Sequence, residues 1–500
     1  MAENLKNKTF WGIYWCYINK FGVQILSLAP AMILTRLLSQ SDYGLVAMAG
    51  VFTGIAYQLS DGGFGNALVQ KKNADDLDYC SVFYFNLSIC SFVYLLFFFL
   101  APLFAEFFHQ PQLTAIIRVS TLGLIFLAFG QVQGIIFKKN LEYKKPTYRN
   151  LVAQIISVVT GVTLALLGYG VWSLVYQGLA YTITSSLFNW VISTWKPTLQ
   201  FSFQRLRSLF NYGSKLLLTS FIDYGFNNAY NIIIGRFYSP AKLADYNRGQ
   251  QTVGLFSSTF FGVFSKVTFP LFVQMQDDDV RLRYNMRRFM IVSSMVIFYV
   301  MSLLFVLAEP LFHTLYSSKW DSALPFFLVL CVVKLFHPMV AIMESVLLAK
   351  GESGKFLNLS IYRKVFIVLS LLITYRFGVF YMVVGQIFLS MIDIILLSFY
   401  TKKLINYTLI DLVKDLTPYL LLSMVMGLLI YVANLFITWG IGFWGLNEFI
   451  SSALVLSVNG ILAVFVFFMT HKFLNLEGYK ELVSFLRESI GNHKILKFLS

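Results

Sequence analysis

Runs of about twenty apolar residues, separated by short polar breaks, recur along the whole of this 500-residue chain. A helix of that length crosses the hydrocarbon core of a bilayer. The pattern predicts fourteen membrane-spanning helices, near residues 10–35, 43–69, 81–104, 114–136, 150–168, 172–195, 213–235, 250–273, 289–308, 322–348, 360–377, 379–398, 416–438 and 444–470. The fold class that follows is all-α and integral to the membrane.

The composition agrees with this pattern and leaves little of the chain for a soluble domain. Hydrophobic residues make up 57% of the chain and charged residues 13%, whereas about a quarter of the residues in a soluble protein are charged. The first apolar run follows Lys6 and Lys8, as in a signal peptide. It is too long for a signal peptide and no small-residue cleavage site follows it, so we expect a retained first span.

The net charge of +15 has an explanation in membrane topology. A strongly basic chain can bind nucleic acid, but basic residues that flank membrane spans concentrate on the cytoplasmic side. With fourteen spans and an inner N-terminus, 29 of the 39 Lys and Arg residues fall inside, and six fall outside: Arg36, Arg236, Lys242, Arg248, Lys319 and Arg376. This asymmetry predicts that both termini are cytoplasmic and that nucleic acid is not a partner.

An internal repeat relates the two halves of the chain. A shift of 200 residues brings "ILTRLLSQ", Ile33 to Gln40, onto "IIGRFYSP", Ile233 to Pro240. The shift matches Arg36 with Arg236 and Ser39 with Ser239, and upstream of them it aligns Lys20-Phe21-Gly22 closely with Asp223-Tyr224-Gly225. Six spans separate the copies, so the repeats share one orientation, an arrangement that builds two six-helix lobes around a central cleft.

The repeat predicts a division of the chain into five parts. These are an N-lobe over 1–195, a linker with an interfacial helix over 196–212, a C-lobe over 213–400, two extra helices over 401–470, and a cytoplasmic amphipathic tail over 471–500. The segments Phe201 to Phe210 and Tyr479 to Ile490 alternate apolar and basic positions at helical spacing, which is typical of helices that lie at the membrane surface.

Ionisable residues at bilayer depth are costly and usually face a cavity or a partner. Residues four apart share one helix face. Four such faces are polar here: Lys20, Gln24 and Ser27; Thr53, Tyr57 and Asp61; Asp223, Asn227 and Asn231; and Gln251, Ser258, Gly262 and Lys266. All four belong to the first helix pair of a repeat, so we expect these faces to meet at the cleft.

Other buried charges have simpler explanations that compete with a cavity role. Arg118 lies about one turn into its span and can extend to the headgroups. Asp61 precedes Gly62 and Gly63, where it can cap or pack a loosened helix. Ion pairs within the second lobe can account for three more residues, Lys334, Glu344 and Asp393.

Buried ammonium groups indicate an anionic ligand, and a phosphate-bearing headgroup suits a lipid-facing cleft. The predicted substrate-binding residues are Lys20, Gln24, Lys266, Asn227, Asn231 and Arg118. Asp61 and Asp223 are predicted to balance charge or to bind a coupling ion, H⁺ or Na⁺. Arg36 and Arg236 are predicted to lie at an outer gate. We expect no metal or cofactor, because the five histidines lack ligand spacing and the four cysteines, Cys16, Cys80, Cys90 and Cys331, lack a paired motif.

The motif "RLLSQSDYGLVAMAGVFTGIAYQLSDGGFGNALVQKK", Arg36 to Lys72, resembles the second-helix signature of bacterial Wzx-type flippases for lipid-linked oligosaccharides. These belong to the multidrug/oligosaccharidyl-lipid/polysaccharide exporter superfamily. The segments "IIIGRFYSPAKLADYNRGQQ", Ile232 to Gln251, and "FSKVTFPLF", Phe264 to Phe272, resemble the same family's second repeat. The similarity extends from about residue 5 to 400, and it departs at Lys242 to Tyr246, where the family more often has a glycine-containing turn.

The resemblance implies a V-shaped, two-lobed transporter in the bacterial inner membrane. Its cargo would be an undecaprenyl-diphosphate-linked repeat unit, moved by alternating access for O-antigen, capsule or exopolysaccharide synthesis. Membrane lipids, and polymerase or chain-length machinery, would be its partners.

Two other functions compete with this one. An ion-coupled multidrug exporter of the same superfamily would favour an acidic, aromatic cavity over buried lysines. A polyprenyl-linked glycan polymerase or glycosyltransferase would need a sizeable outer loop with catalytic residues, and the outer loops are short. With no nucleophile or nucleotide-binding motif in view, we expect no enzyme; "GESGK", Gly351 to Lys355, lacks the glycine spacing of a phosphate loop.

Overall fold

A computed structural model describes residues 2–61, 64–474, 477–481 and 484 of the chain. Within these ranges, the side chains of 2–10, 13, 29, 61, 66, 208–216, 258–267 and 471–473 are not described. The described residues form helices joined by short turns, and they divide into two compact units, Met1–Ala244 and Asp245–Ser500. The predicted all-α membrane fold is confirmed.

The first unit contains ten helices among the described residues. They are α1 (Ala2–Leu37), α2 (Gln40–Asp61), α3 (Phe64–Gln70), α4 (Asp76–Phe107), α5 (Leu113–Thr121), α6 (Gly123–Lys139), α7 (Lys144–Leu166), α8 (Val171–Ile192), α9 (Phe203–Asn227) and α10 (Ala229–Phe237). In this unit α7 packs against α1 and α8, and α9 packs against α2, α3 and α4.

The second unit holds the remaining described helices. They are α11 (Pro240–Val273, beginning just before the boundary), α12 (Asp279–Val306), α13 (Ala308–Leu315), α14 (Leu324–Leu335), α15 (His337–Ala349), α16 (Ser353–Thr374), α17 (Val379–Ile405), α18 (Leu409–Gly442) and α19 (Glu448–Phe473). A 3₁₀ turn over Ser318–Ala323 precedes α14.

Eleven of the described segments are long and apolar enough to cross a membrane. They run Tyr14–Leu37, Gln40–Ser60, Asp76–Phe107, Leu113–Lys139, Lys144–Leu166, Asp279–Val306, Ser318–Ala349, Ser353–Thr374, Val379–Ile405, Leu409–Gly442 and Glu448–Thr470. The other three predicted spans correspond to α8, to α9 with α10, and to α11. These segments are helical but are not among the eleven that are long and apolar enough to cross a membrane. The figure of fourteen stays a prediction.

The helix boundaries follow the internal repeat. Ser39 and Ser239 both precede a helix start, and the hydroxyl of each accepts a hydrogen bond from the backbone N–H three residues later, over 3.1 Å and 3.3 Å. Such capping satisfies an otherwise unpaired donor of the first turn. Helix α2 begins at Gln40 and α11 at Pro240, at the shift of 200 residues that the sequence predicts.

Each repeat also has an interrupted fourth span. In the first unit a turn at Leu122 separates α5 from α6, and in the second a turn at Phe336 separates α14 from α15. Pro338 explains the second break, because proline has no N–H to donate to the carbonyl four residues earlier. The predicted spans 114–136 and 322–348 are present as Leu113–Lys139 and Ser318–Ala349, but each contains a break that the sequence did not predict.

Two further boundaries differ from the sequence expectation. The segment from Phe201, expected as a separate surface helix, continues from Phe203 into α9 as one helix of 25 residues. The predicted span 213–235 is interrupted at Asn228, which separates α9 from α10. Contacts place α9 and α10 with the first unit. The five-part division of the chain stays a prediction, as does a V-shaped arrangement.

The extra helices α18 and α19 cover the second unit on one side. Gly427 lets α18 approach α12 closely, since a Cβ there would lie 2.2 Å from the Ser302 hydroxyl oxygen. That hydroxyl donates to the Ser423 carbonyl oxygen over 2.9 Å. Helix α12 is therefore largely buried, with Phe298 only 3% exposed, whereas Phe99 on its counterpart α4 is 71% exposed.

Charged residues connect the N-terminal ends of α12 and α18. Arg287 Nε lies 2.9 Å from Asp415 Oδ1 and its Nη1 lies 2.8 Å from Glu477 Oε1. The Tyr407 hydroxyl donates to Asp415 Oδ2 over 2.9 Å. Burial raises the pKa of Tyr407, and the neighbouring Asp415 carboxylate raises it further. These contacts connect the segment after α19 to the body of the second unit; most of the predicted surface helix Tyr479 to Ile490 lies outside the described residues.

Candidate functional site

Lys20 is an exposed lysine within the candidate span Tyr14–Leu37. Among the side chains that the structure describes, none forms an ion pair or a hydrogen bond with it. Gln24, one turn further along α1, is half-buried, and its carbonyl oxygen accepts from the Ser27 hydroxyl over 2.7 Å. The side chains of Lys20 and Gln24 therefore remain available for a ligand.

Two of the predicted site residues cannot be placed at the level of side chains. Lys266 lies on α11 and Asp61 is the last residue of α2, and both side chains lie outside the description. The same holds for Ser258 and Gly262 on α11. The predicted α11 face thus stays a prediction.

The polar residues of the seventh predicted span lie on both sides of a break. Asp223 is half-buried and Asn227 exposed near the end of α9, while Asn231 lies on α10. The Asn231 amide donates from Nδ2 to Asn228 Oδ1 over 3.1 Å, at the break itself. The three residues do not form one uninterrupted helical stripe, because the helix is not continuous at Asn228.

Tyr224 brings this segment against α2. Its hydroxyl donates to the Gly50 carbonyl oxygen over 3.1 Å. A Cβ on Gly54 would lie 1.7 Å from that hydroxyl oxygen, so the contact requires glycine at position 54. The structure thus joins the helices that carry two of the predicted polar faces, and the expectation that the faces themselves meet stays a prediction.

Arg118 contacts α4 and none of the other predicted site residues among the described side chains. Its Nε donates to the Phe98 carbonyl oxygen over 3.1 Å, and its guanidinium lies 4.3 Å from the centre of the Phe98 ring. A ligand role for Arg118 stays a prediction.

Arg36 and Arg236 occupy the last turns of α1 and α10. Arg36 Nη1 donates to the Met32 carbonyl oxygen over 2.7 Å, and Arg236 Nη1 donates to the Phe107 carbonyl oxygen over 2.6 Å and contacts His109. Cations near a helix C-terminus pair favourably with its free carbonyls. These contacts suit helix ends, and the gate role stays a prediction.

The predicted span 150–168 begins one residue after Arg149, so this residue was not among the predicted site residues. Helix α7 begins at Lys144, so Arg149 lies in its second turn and points into the helix bundle. Its Nε and Nη2 donate to Asn150 Oδ1 over 3.0 and 2.8 Å, and its Nη1 donates to Asn189 Oδ1 over 3.0 Å. Asn150 in turn donates to Asn19 Oδ1 over 3.0 Å, next to Lys20 on α1.

Arg363 falls within the predicted span 360–377 but was not among the predicted site residues; it lies in the third turn of α16. Its Nε donates to Asp393 Oδ1 over 2.8 Å and its Nη1 pairs with Glu344. The predicted ion pairing of Glu344 and Asp393 within the second half is confirmed. Lys334 takes no part in it; its Nζ lies 3.3 Å from His337 Nε2.

A signal for both arginines was present in the sequence. The dipeptide Tyr-Arg occurs at 148–149, 362–363 and 375–376, and the first two lie within α7 and α16, the fifth span of each repeat. The predicted spans began at 150 and 360, later than α7 and α16 begin in the structure. Arg149 therefore lay in a loop, and Arg363 was counted with the loop charges.

An apolar cavity lies within the second unit, between α12, α14 and α18. Its volume is about 510 Å³, and its lining includes Phe298, Phe305, Val332, Met424 and Tyr431. Ser302 and Ser423 are among its few polar neighbours. Such a lining suits hydrocarbon rather than a charged group.

Comparison with known proteins assigns the chain to a family. Residues 33–325, more than half of the chain, match the model of a family described as polysaccharide biosynthesis protein. The chain belongs to the polysaccharide biosynthesis protein family. The family relationship inferred from the second-helix motif is thereby confirmed.

Relatives of this chain are distant from it in sequence. The lipopolysaccharide biosynthesis protein WzxC of Escherichia coli (strain K12) is 24% identical over 355 residues, covering 70% of this chain and 71% of that protein. The succinoglycan biosynthesis transport protein ExoT of Rhizobium meliloti (strain 1021) is 25% identical over 312 residues, covering 62% of this chain and 63% of that protein.

A solved structure shares the fold of this chain. The lipid II flippase MurJ, in an inward closed conformation, matches with a TM-score of 0.69 at 15% identity, covering 93% of this chain and 100% of that one. Together with the candidate spans, this shows a multi-pass membrane protein with an all-helical transporter fold.

Proposed function

We propose that this chain is a flippase that moves oligosaccharide repeat units linked to undecaprenyl diphosphate across the bacterial inner membrane, with both termini in the cytoplasm. Membership of the polysaccharide biosynthesis protein family supports the pathway, and the fold shared with a lipid II flippase supports the reaction class. The product would enter the synthesis of O-antigen, capsule or another surface polysaccharide.

The observation that carries the proposal is the state of Lys20. A charged side chain within a membrane span costs about 2.5–3.5 kcal/mol on insertion scales and usually faces a partner or water. Lys20 is exposed and is unpaired among the described side chains. An ammonium group in this state attracts an anion, and a diphosphate is the anionic part of the proposed cargo.

Alternating access of the cargo site to the two membrane faces is the proposed mechanism. The family match and the helical fold favour transport over catalysis, so the chain would act as a carrier rather than an enzyme. The half-buried carboxyl group of Asp223 is a candidate to balance cationic charge or to bind a coupling proton or sodium ion, with Asp61 as a second candidate. The Glu344 and Asp393 carboxylates already pair with Arg363 and are less suited to this role.

Deletion of the gene tests the cargo class directly. Mass spectrometry of the lipid extract should then show accumulation of an oligosaccharide joined to a polyprenyl diphosphate. A normal lipid-linked oligosaccharide pool together with increased sensitivity to cationic drugs would support the multidrug exporter instead.

Substitution of Lys20 tests the site. In cells complemented with K20A, surface polysaccharide should fall at least tenfold while the amount of protein in the membrane stays unchanged, and K20R should restore output because it keeps the charge. Ile25, a 66% exposed apolar residue of the same helix, provides the matched control I25A. Normal polymer output from K20A would remove Lys20 from the site.

A further inference from the structure

Two arginines in similar settings have opposite electrostatic surroundings. Arg149 on α7 and Arg363 on α16 each follow a tyrosine, and each donates to a residue on the next helix, Asn189 on α8 and Asp393 on α17. Arg363 meets two carboxylates, those of Asp393 and Glu344. Among the described side chains, Arg149 donates hydrogen bonds only to amide oxygens.

The Arg149 guanidinium is hydrogen-bonded by neutral groups, which leave its positive charge uncompensated. Its three hydrogen bonds go to the side-chain oxygens of Asn150 and Asn189, and no acidic side chain in the described part of the chain pairs with it. A guanidinium has five N–H donors. Two donors and the whole positive charge therefore remain for another partner.

The amides around Arg149 are themselves held in place. Asn189 Nδ2 donates to the Gly130 carbonyl oxygen over 2.7 Å, and Asn150 Nδ2 donates to Asn19 Oδ1 over 3.0 Å. Both amide oxygens consequently face the guanidinium. On the neighbouring helix α6, Gly134 faces the guanidinium. A Cβ added there would lie 3.8 Å from Arg149 Nη1, and glycine has no side chain to occupy this space.

Charge and depth indicate the kind of ligand. Buried arginines are normally paired with an anion, because an unpaired charge in a low-dielectric site is costly. Arg149 lies five residues after the first residue of α7, or about 7–8 Å along the helix axis. The planar guanidinium fork matches the oxygens of a phosphate group.

We propose that Arg149, positioned by Asn150 and Asn189, binds a phosphate group of the lipid-linked diphosphate cargo within the first unit. This proposal rests on the proposed function and adds a binding residue to it. The second repeat supplies its own carboxylates at Arg363 and therefore does not bind phosphate there.

Binding of farnesyl diphosphate to the purified full-length protein in detergent tests the proposal. The variants are R149Q, which removes the charge, and N150D, which places a carboxylate where Asn150 Oδ1 now accepts from Arg149. N150D gives the guanidinium a carboxylate partner, as Arg363 has, and keeps the arginine, and the Asn19 amide can rotate to donate to the new carboxylate. Lys196, an exposed loop lysine, provides the control K196Q.

We expect R149Q and N150D each to weaken the affinity about ten- to a hundredfold, the value of one charge-assisted hydrogen bond, with R149K intermediate and K196Q unchanged. The melting temperature of N150D without ligand should match that of the wild type. If R149Q and N150D bind farnesyl diphosphate as tightly as the wild type does, Arg149 is only a structural residue and the inference is overturned, while the proposed function stands.

Two further binding measurements, on the wild type and with other phosphate ligands, distinguish the remaining explanations. If the wild type itself fails to bind farnesyl diphosphate, the proposed function fails and the inference fails with it. If phosphatidylglycerol or inorganic pyrophosphate binds as tightly, with the same dependence on Arg149, the site serves a bilayer lipid or a free phosphate, and the assignment to the cargo is overturned.

Discussion

The Tyr224 hydroxyl donates to the Gly50 carbonyl oxygen over 3.1 Å and fastens α9 to α2 within the first unit. This contact is close because Gly54, one turn further along α2, has no side chain to hold the ring away. It connects two helices on which the sequence analysis expected polar residues of the cargo site.

Substitution of Gly54 should therefore disturb the first unit. In G54A the added Cβ would overlap the Tyr224 hydroxyl oxygen, at a cost of about 1–3 kcal/mol for overpacking. We expect a lower melting temperature in detergent and reduced polysaccharide output. The control is G50A on the same helix, where a Cβ meets nothing within 4 Å and where alanine gains about 1 kcal/mol in helix propensity. Equal melting temperatures for both variants would contradict this interpretation of the contact.

Position 20 should be accessible to water. In a C16S background, which removes the exposed cysteine of the four and leaves the buried ones, K20C should react with a membrane-impermeant maleimide from one side of the membrane. I25C on the same helix is exposed in the structure but apolar, and it should remain unlabelled if it faces lipid. Labelling of K20C no faster than that of I25C would mean that Lys20 does not face a hydrated cavity.

Removal of Arg363 should destabilise the second unit. R363Q leaves the Glu344 and Asp393 carboxylates without their partner, which costs about 3 kcal/mol when one member of a buried ion pair is removed. The triple variant E344Q/R363Q/D393N has no unpaired charge and should recover most of the loss in melting temperature. R118Q is the control, since Arg118 contacts Phe98 and no carboxylate among the described side chains. A triple variant as unstable as R363Q would show that shape rather than charge matters at this position.

Acid should weaken the start of α4. The backbone N–H of Asp78 and then Arg205 hold the pKa of the Asp75 carboxyl below its ordinary value of 3.8. Because the pKa is lower in the folded state, this contribution to stability is present at pH values above 3.8 and is lost as the pH falls through the folded-state value. The melting-temperature difference between wild type and D75N should be constant near neutral pH and disappear below pH 3.8.

The control for this pH effect lies in the same turn. Asp76 is exposed beside Asp75, and D76N makes the same change from carboxyl to amide. If D76N reproduces the D75N profile, the effect arises from negative charge at the helix end in general and not from the contacts of Asp75.

The sequence predicted the fold well because hydropathy and the repeat are long-range patterns. The helix starts at Gln40 and Pro240 follow from capping serines that the repeat aligned. The breaks at Leu122 and Phe336 were missed because apolar residues continue across both turns, so that hydropathy shows no interruption.

The site was harder to predict because polar residues can lie within a helix or just before it. Arg149 was assigned to a loop since four lysines precede it, yet α7 already begins at Lys144. Its amide partners Asn150 and Asn189 are far apart in sequence, and only the packing of α7 against α8 brings them to one guanidinium. Lys20 was found because it is isolated within an apolar run.

The extra helices give the two halves of the protein different neighbours. Because α18 covers α12, that helix is surrounded by protein, whereas its counterpart α4 presents Phe92, Phe99 and Leu103 outward. Acyl chains must solvate α4 directly. Changes in bilayer thickness or in acyl-chain saturation would therefore act on α4 directly, and would reach α12 with a layer of protein between.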